Sequence, residues 1–280
     1  MGFFQRMMVL DRRIVFVLIA VAVVTPLFIP FRLKMHPTPA SRGLYDSVRR
    51  LPRGSTVIIS GEYDPGTAPE IQPMMIGALK QCFRKGLKVI LMGLWPQGPA
   101  LEEQALQEVF QEREFKEMGL RYGQDYVNLG FKSGGGAVIQ SMGTSIPVAF
   151  PTDMTGTPLG KLPLMEGVHN LSDVAFVLDF SAGDPGTPAW VMFAHDRFHV
   201  PMAAGCTAVS APMLYPYLQT KQLSGLLGGL KGAADYEWLT KSPGKGMQYL
   251  PSQSVAHLVI VIFIILGNIA FFVTKRKGER

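Results

Sequence analysis

Residues 55–94 read STVIISGEYDPGTAPEIQPMMIGALKQCFRKGLKVILMGL. Ser55–Ser60 (STVIIS) is a short β-branched run, closed by Gly61 and the turn formers Asp64, Pro65 and Gly66. Ala68–Lys85 then places Ile71, Met74, Met75, Ala78, Leu79, Cys82 and Phe83 at helical spacing and stops at Gly86. That is the pattern of an amphipathic helix with a glycine C-terminus. Lys88–Leu94 (KVILMGL) is a second strand, ended by Trp95-Pro96-Gln97-Gly98. Both runs are apolar without alternation, which suits parallel strands covered on both faces.

The same alternation continues outward. Pro99–Met118 reads as a helix, Asp125–Phe131, Asp173–Phe180 and Ala189–Ala194 as strands, and Pro212–Thr240 as helix with a break near Thr220. Strand–helix alternation implies βαβ units. The expected fold is therefore α/β: a Rossmann-like three-layer sandwich with a mostly parallel sheet of about five strands. Residues 147–167 show no period and read as a long surface excursion of the kind that forms lids or partner-binding elements.

Two apolar blocks flank this domain. Residues 14–31 and 255–273 carry no charge and approach the ~20 residues a spanning helix needs. The expected organisation is a short basic tail (1–13), a first transmembrane helix (14–31), a connector (32–54), the α/β domain (55–241), a second connector (242–254), a second transmembrane helix (255–273) and a basic tail (274–280). Basic residues are balanced, seven in the tails (Arg6, Arg12, Arg13, Lys275, Arg276, Lys277, Arg280) and seven on the inner flanks (Arg32, Lys34, Arg42, Arg49, Arg50, Lys241, Lys245). The dense KRKGER tail favours cytoplasmic tails and an extracytoplasmic domain.

Hydrophobic residues make up 48% of the 280 and charged residues 17%, which excludes a disordered chain. Two cysteines, Cys82 and Cys206, exclude a disulfide scaffold and lie in apolar surroundings that suit buried thiols. The formal charge of +6 sits largely beside the apolar blocks, where anionic lipid accounts for it, so nucleic acid is not expected.

Ligands of open parallel sheets bind beyond the strand C-termini. Reading off those ends collects Asp64, Gln97, Ser133, Gly134, Gly135, Gly136 and Asp179 as ligand-binding candidates. Lys132–Gly136 (KSGGG) precedes a helical AVIQSM and could form a nest of N–H groups for an anion, although it matches neither standard phosphate-loop pattern. His195, Asp196 and His199 would share a face only on a helix, and no metal or cofactor is expected. Gln222–Trp238 (QLSGLLGGLKGAADYEW) repeats small residues every four positions, including Gly225, Gly228, Gly229 and Gly232. Glycines cost a helix about 1 kcal/mol each relative to alanine, so close packing or self-association is expected there. Asn268 in the second apolar block is a candidate for an interhelical hydrogen bond.

Ser141-Met142-Gly143 resembles the Ser-Met-Gly around the nucleophile of ClpP-type serine proteases, and the upstream LWPQGPALEEQAL is similar to that superfamily's oxyanion loop. The resemblance implies hydrolysis with Ser141 as nucleophile, His169 as base and Asp173 or Asp179 orienting it; the glycine pair expected in the oxyanion loop is broken here as Pro-Gln-Gly. Three functions follow from the sequence. The first is a non-catalytic structural or regulatory subunit of a membrane assembly, partnered by the bilayer, by itself and by other membrane proteins. The second is a small-molecule or anion sensor, and the third a membrane-anchored serine hydrolase. An enzyme is the less expected outcome.

Overall fold

The computed structural model describes residues 11–29, 31 and 33–278, without the side chains of 275–278. Arg6, Arg32 and the side chains of Lys275, Arg276, Lys277 and Arg280 lie outside what is described, as does most of the expected N-terminal tail. The chain forms two units, one of residues 1–34 with 248–280 and one of Met35–Met247.

In the first unit, α1 (Arg12–Phe28) starts at Asp11, whose carboxylate accepts from the Arg13 N–H at 2.8 Å. Its 17 residues rise roughly 26 Å, short of the ~30 Å hydrocarbon core. The C-terminal helix begins at Lys245 in the α/β unit and runs to Gly278, most of it in this first unit. Its stretch Lys245–Thr274 is long and apolar enough to cross a membrane, with a mean hydropathy of 2.6 in its most apolar window. It is the one such helix among the described residues, where the sequence suggested two.

In the α/β unit the chain continues with α2 (Pro39–Arg50), capped by Thr38. Then come β1 (Thr56–Glu62), α3 (Ala68–Lys85), β2 (Lys88–Gly93), α4 (Gly98–Gln111), α5 (Arg113–Met118) and β3 (Tyr126–Phe131). The second half contains α6 (Gly136–Thr144), α7 (Ile146–Ala149), β4 (Phe176–Ser181), α8 (Thr187–Trp190), α9 (Asp196–Phe198) and β5 (Met202–Cys206). It closes with α10 (Ala211–Gln219), β6 (Leu226–Gly228) and α11 (Gly229–Leu239), followed by the long helix α12 (Lys245–Gly278), of which only Lys245–Met247 belong to this unit.

The sheet has six strands in the order β3-β2-β1-β4-β5-β6, and every pairing is parallel. This is the doubly wound order, with its switch point between β1 and β4. Side-chain alternation gives two apolar layers. Ile58, Ile90, Val127, Val177 and Met202 face one, and Val57, Ile59, Val89, Leu91 and Leu178 face the other. On the second face α3 packs along α11, and Gly77 makes room for the Tyr236 ring, which a Cβ would approach to 2.9 Å.

Several expectations change. Residues 189–194 are not a strand: Pro188 enters a helical turn, a five-residue π-helical turn follows over Val191–His195, and His199 ends it in the left-handed region at φ 57°. The fifth strand is MAAGC, whose small residues carry little β-propensity of their own. The expected helix through Gln222–Trp238 contains the sixth strand and begins only at Gly229. The expected helix Pro99–Met118 breaks at the extended residue Glu112. The short helix expected within the connector, at Leu44–Leu51, is α2 and starts earlier, at Pro39; its Leu44 and Val48, one turn apart, are fully buried. The excursion 147–167 is anchored by buried Leu159, Leu164 and Met165.

Candidate functional site

β1 and β4 are register neighbours, with Ser60 opposite Asp179 and Glu62 opposite Ser181. The period of two puts all four side chains on one face, at the C-terminal ends of the strands flanking the switch point. All four are buried, Glu62 and Asp179 completely. Glu62 Oε1 accepts from the Ser60 hydroxyl and from the Leu94 N–H at 3.2 Å. Asp179 Oδ2 accepts from Ser181 Oγ at 2.9 Å and from the Thr187 hydroxyl. The other two oxygens, Glu62 Oε2 and Asp179 Oδ1, are buried without a hydrogen-bond partner. Two acceptors can bond only if one carries a proton. Burial, then the Asp179 charge and its hydrogen bond, push Glu62 well above the carboxylate range. Burial also raises Asp179, against the pull of bonds from Glu62, Thr187 and Ser181. Both shifts favour a pair that keeps a proton in the folded state.

On the opposite face of β1 a third acid, Glu102 of α4, is fully buried, and neither of its oxygens has a well-formed hydrogen bond. Burial raises it well above the usual range, with the Gly61 backbone and the Asn128 amide pulling the other way. A Cβ on Gly61 would lie 2.8 Å from Glu102 Oε1, so a side chain there would have to push the carboxyl aside. Tyr63 donates to Gln72 Oε1 at 2.6 Å, and burial with the nearby Glu102 and Glu62 keeps its hydroxyl protonated.

The strand-end loops interlock. Trp95 Nε1, after β2, donates to Pro185 O in the loop after β4 at 3.0 Å. Gly135, after β3, approaches the same proline so that a Cβ would sit 3.4 Å from Pro185 Cβ. Thr187 ties the start of α8 to Ser181 through its N–H at 3.1 Å. Glu70 at the start of α3 accepts from the Ala208 N–H after β5 at 2.8 Å.

The sequence candidates fall into this frame unevenly. Asp179 is at its centre but sealed. Asp64 caps its own turn, accepting from the Thr67 N–H at 3.0 Å, and that bond with the Thr67 hydroxyl lowers its pKa. Gln97, Ser133 and Gly134 are exposed. Gly134 and Gly135 adopt φ of 132° and 52°, and Gly136 lies so close to the Phe193 ring that a Cβ would come within 2.2 Å. The KSGGG loop thus does lead into the α6 N-terminus, packed on the β4 loop.

Ser141 is half-buried within α6, while His169 is exposed and touches α7 through its carbonyl, which accepts from the Ile146 N–H at 2.7 Å. Asp173 is spent on the N–H groups of His169 and Asn170, at 2.8 and 3.2 Å. Among the described residues no hydrogen bond joins the side chains of Ser141, His169 and either aspartate; the His169–Asp173 bond runs from the backbone N–H. His195 Nδ1 pairs with Val200 O at 3.1 Å and Asp196 accepts from Gln222, so these side chains serve local structure. Among the described residues no three metal-ligating side chains converge. Burial pushes the thiols of Cys82 and Cys206 up to about 12.

The four interaction glycines are consumed inside the unit. A Cβ on Gly225 would lie 2.0 Å from Leu44 N, one on Gly232 2.7 Å from the Leu227 backbone, and one on Gly228 2.9 Å from Ala211 Cβ. Gly229 turns strand into helix at φ 56°. Asn268 donates to its own helix, at Ile264 O, 2.8 Å away.

A second feature was not legible in sequence. Beside β6, the last strand of the sheet, a cleft of about 1010 Å³ opens between α10, the start of α2 and α11. Its walls are mainly apolar, and Lys231 and Asp235 of α11 form an ion pair in its lining.

Glu237, at the far end of α11, accepts from the N–H groups of Gly244, Gly246 and Met247 at 3.1, 2.9 and 2.7 Å. A buried carboxylate thereby caps the first turn of α12, where orphan N–H groups and the helix dipole favour it. Lys245 adds an ion pair with Glu108 at 2.9 Å.

No family model, curated protein or solved structure matches the chain.

Proposed function

We propose that the chain is a membrane-anchored, non-catalytic α/β module that acts as a structural or regulatory subunit of a membrane assembly. The supporting observation is the burial of Glu62 and Asp179 at the strand ends. In doubly wound sheets the crevice there is where ligands and chemistry are found. Here its carboxyls are buried, and one oxygen of each, Glu62 Oε1 and Asp179 Oδ2, is taken by Ser60, Leu94, Ser181 and Thr187, so these groups tie the strand ends and the loops that follow them. In the same reading α12 spans the bilayer through 255–273, α1 provides a second, shorter membrane segment, the tails are cytoplasmic and the domain lies on the other side. The exposed apolar side chains of α1 and α12, such as Phe16, Phe28 and Phe272, suit lipid contact.

Chemical cross-linking in intact membranes tests the subunit role. A specific adduct between this chain and a second membrane protein is expected, unchanged by Ser141→Ala. Recovery of the chain only as itself, together with labelling of Ser141 by a fluorophosphonate, would replace this reading with the hydrolase. Cysteines introduced at Met8 and Gly278 should react with an impermeant maleimide from one side of the membrane, and one at Ser133 from the other.

A further inference from the structure

The cleft beside β6 plays no part in that reading, and its lining has a definite chemistry. Ala40, Ala211, Leu218, Leu223 and Leu226 give it apolar walls, and Gly228 and Gly232 also line it. Its volume of about 1010 Å³ lies at the top of the roughly 300–1,000 Å³ range of small-molecule sites. A compact polar metabolite would leave much of that apolar wall wet, whereas an extended hydrocarbon chain would cover it.

The polar groups of the lining fix the sign of the rest of the ligand. Asp235 is wholly buried and already occupied, accepting from Thr38 N at 3.1 Å, from Ser41 Oγ at 3.2 Å and from Lys231. It offers nothing to a cationic ligand and neutralises one lysine. Lys221, held in the left-handed region at φ 64°, also lines the cleft, and among the described residues it has no ion-pair partner. Glu70, which accepts from the Ala208 N–H, is not part of the lining. The lining therefore carries two lysines against one carboxylate, a net charge that one monoanion balances.

We propose that this cleft binds a long-chain monocarboxylate, a fatty acid whose chain lies along the α10 and β6 walls and whose carboxylate meets Lys221 and Lys231. The site stands independently of the subunit reading, and losing either leaves the other intact.

The test uses the full chain in nanodiscs of neutral lipid and hexadecanoic acid bearing a terminal diazirine. After photolysis and digestion, label is expected in the peptides of residues 208–226, displaced by unlabelled hexadecanoate and not by hexadecyltrimethylammonium. Ala208→Trp, at an exposed position in the lining, should fill the cleft and cut labelling about tenfold, and Lys221→Glu about threefold. Melting curves should show both variants folded. Label confined to residues 12–28 and 245–278, equal displacement by the cationic amphiphile, or labelling unchanged in both variants would each overturn the site. Stronger displacement by a lysophosphatidate than by hexadecanoate would assign the head to phosphate and overturn the carboxylate.

Discussion

Replacing Glu62 with glutamine tests the retained proton directly. The amide keeps an oxygen where Oε1 accepts from Ser60 and Leu94, and offers Asp179 an N–H where a protonated Glu62 would offer an O–H. Shape and bonding are conserved, so at acidic pH, where the wild-type pair holds its proton, stability should change by less than about 1 kcal/mol. The difference appears as pH rises. Glu62 has a folded pKa raised above its unfolded value, so the folded state binds more protons than the unfolded one between those two values. The Glu62 contribution to stability is fully present below the unfolded carboxylate range and is lost as pH climbs towards the folded pKa, by up to about 1.4 kcal/mol per pH unit for one proton. Glutamine removes that proton from the balance and should flatten the slope by the same amount, while Glu102, raised by its own burial, keeps contributing. The assay is denaturant unfolding of the full chain in detergent from pH 5 upwards. All three tryptophans, Trp95, Trp190 and Trp238, report on the α/β unit. Equal slopes for wild type and Glu62→Gln would refute the retained proton.

Three other perturbations probe separate joints. Gly225→Ala forces a Cβ to within 2.0 Å of Leu44 N, so α2 must leave the β6 edge, at a cost of about 1–3 kcal/mol seen as a lower denaturation midpoint. Glu237→Ala strips three N–H groups at the start of α12 of their acceptor, and should cost about 1–3 kcal/mol while exposing Gly246 and Met247 amides to fast hydrogen exchange. Asn268→Leu removes only a bond to its own helix, so α12 should still insert and the unfolding midpoint should move by less than about 0.5 kcal/mol.

What the sequence disclosed followed burial on both faces. STVIIS and KVILMGL are strands because their neighbours cover them on either side, and that leaves an unbroken apolar run to read. MAAGC is just as buried, but its alanines and glycine let helices approach closely and carry no strand signature. AWVMFA has the composition of a strand, yet Pro188 and the packing of Trp190 wind it into helix. The spacing of Gly225, Gly228, Gly229 and Gly232 looked helical, and each glycine instead answers a different local need: Leu44 backbone, Ala211, a left-handed turn and Leu227 backbone. Asp179 could be placed at a strand end, but its partnership with Glu62 depends on the register of two strands more than a hundred residues apart in sequence. Glu102 reads as one of many polar residues on a helix; only the bare Gly61 opposite shows that it points inward.

The account as a whole turns on whether the chain works as part of a larger membrane complex. Native mass spectrometry of the full-length protein, released in nanodiscs from the membranes of the cell that makes it, addresses this most directly. The account predicts a discrete species heavier than the 30.7 kDa chain that releases this chain and a second membrane subunit on activation. A single species at the mass of the isolated chain, with substrate turnover in the same preparation, would contradict it.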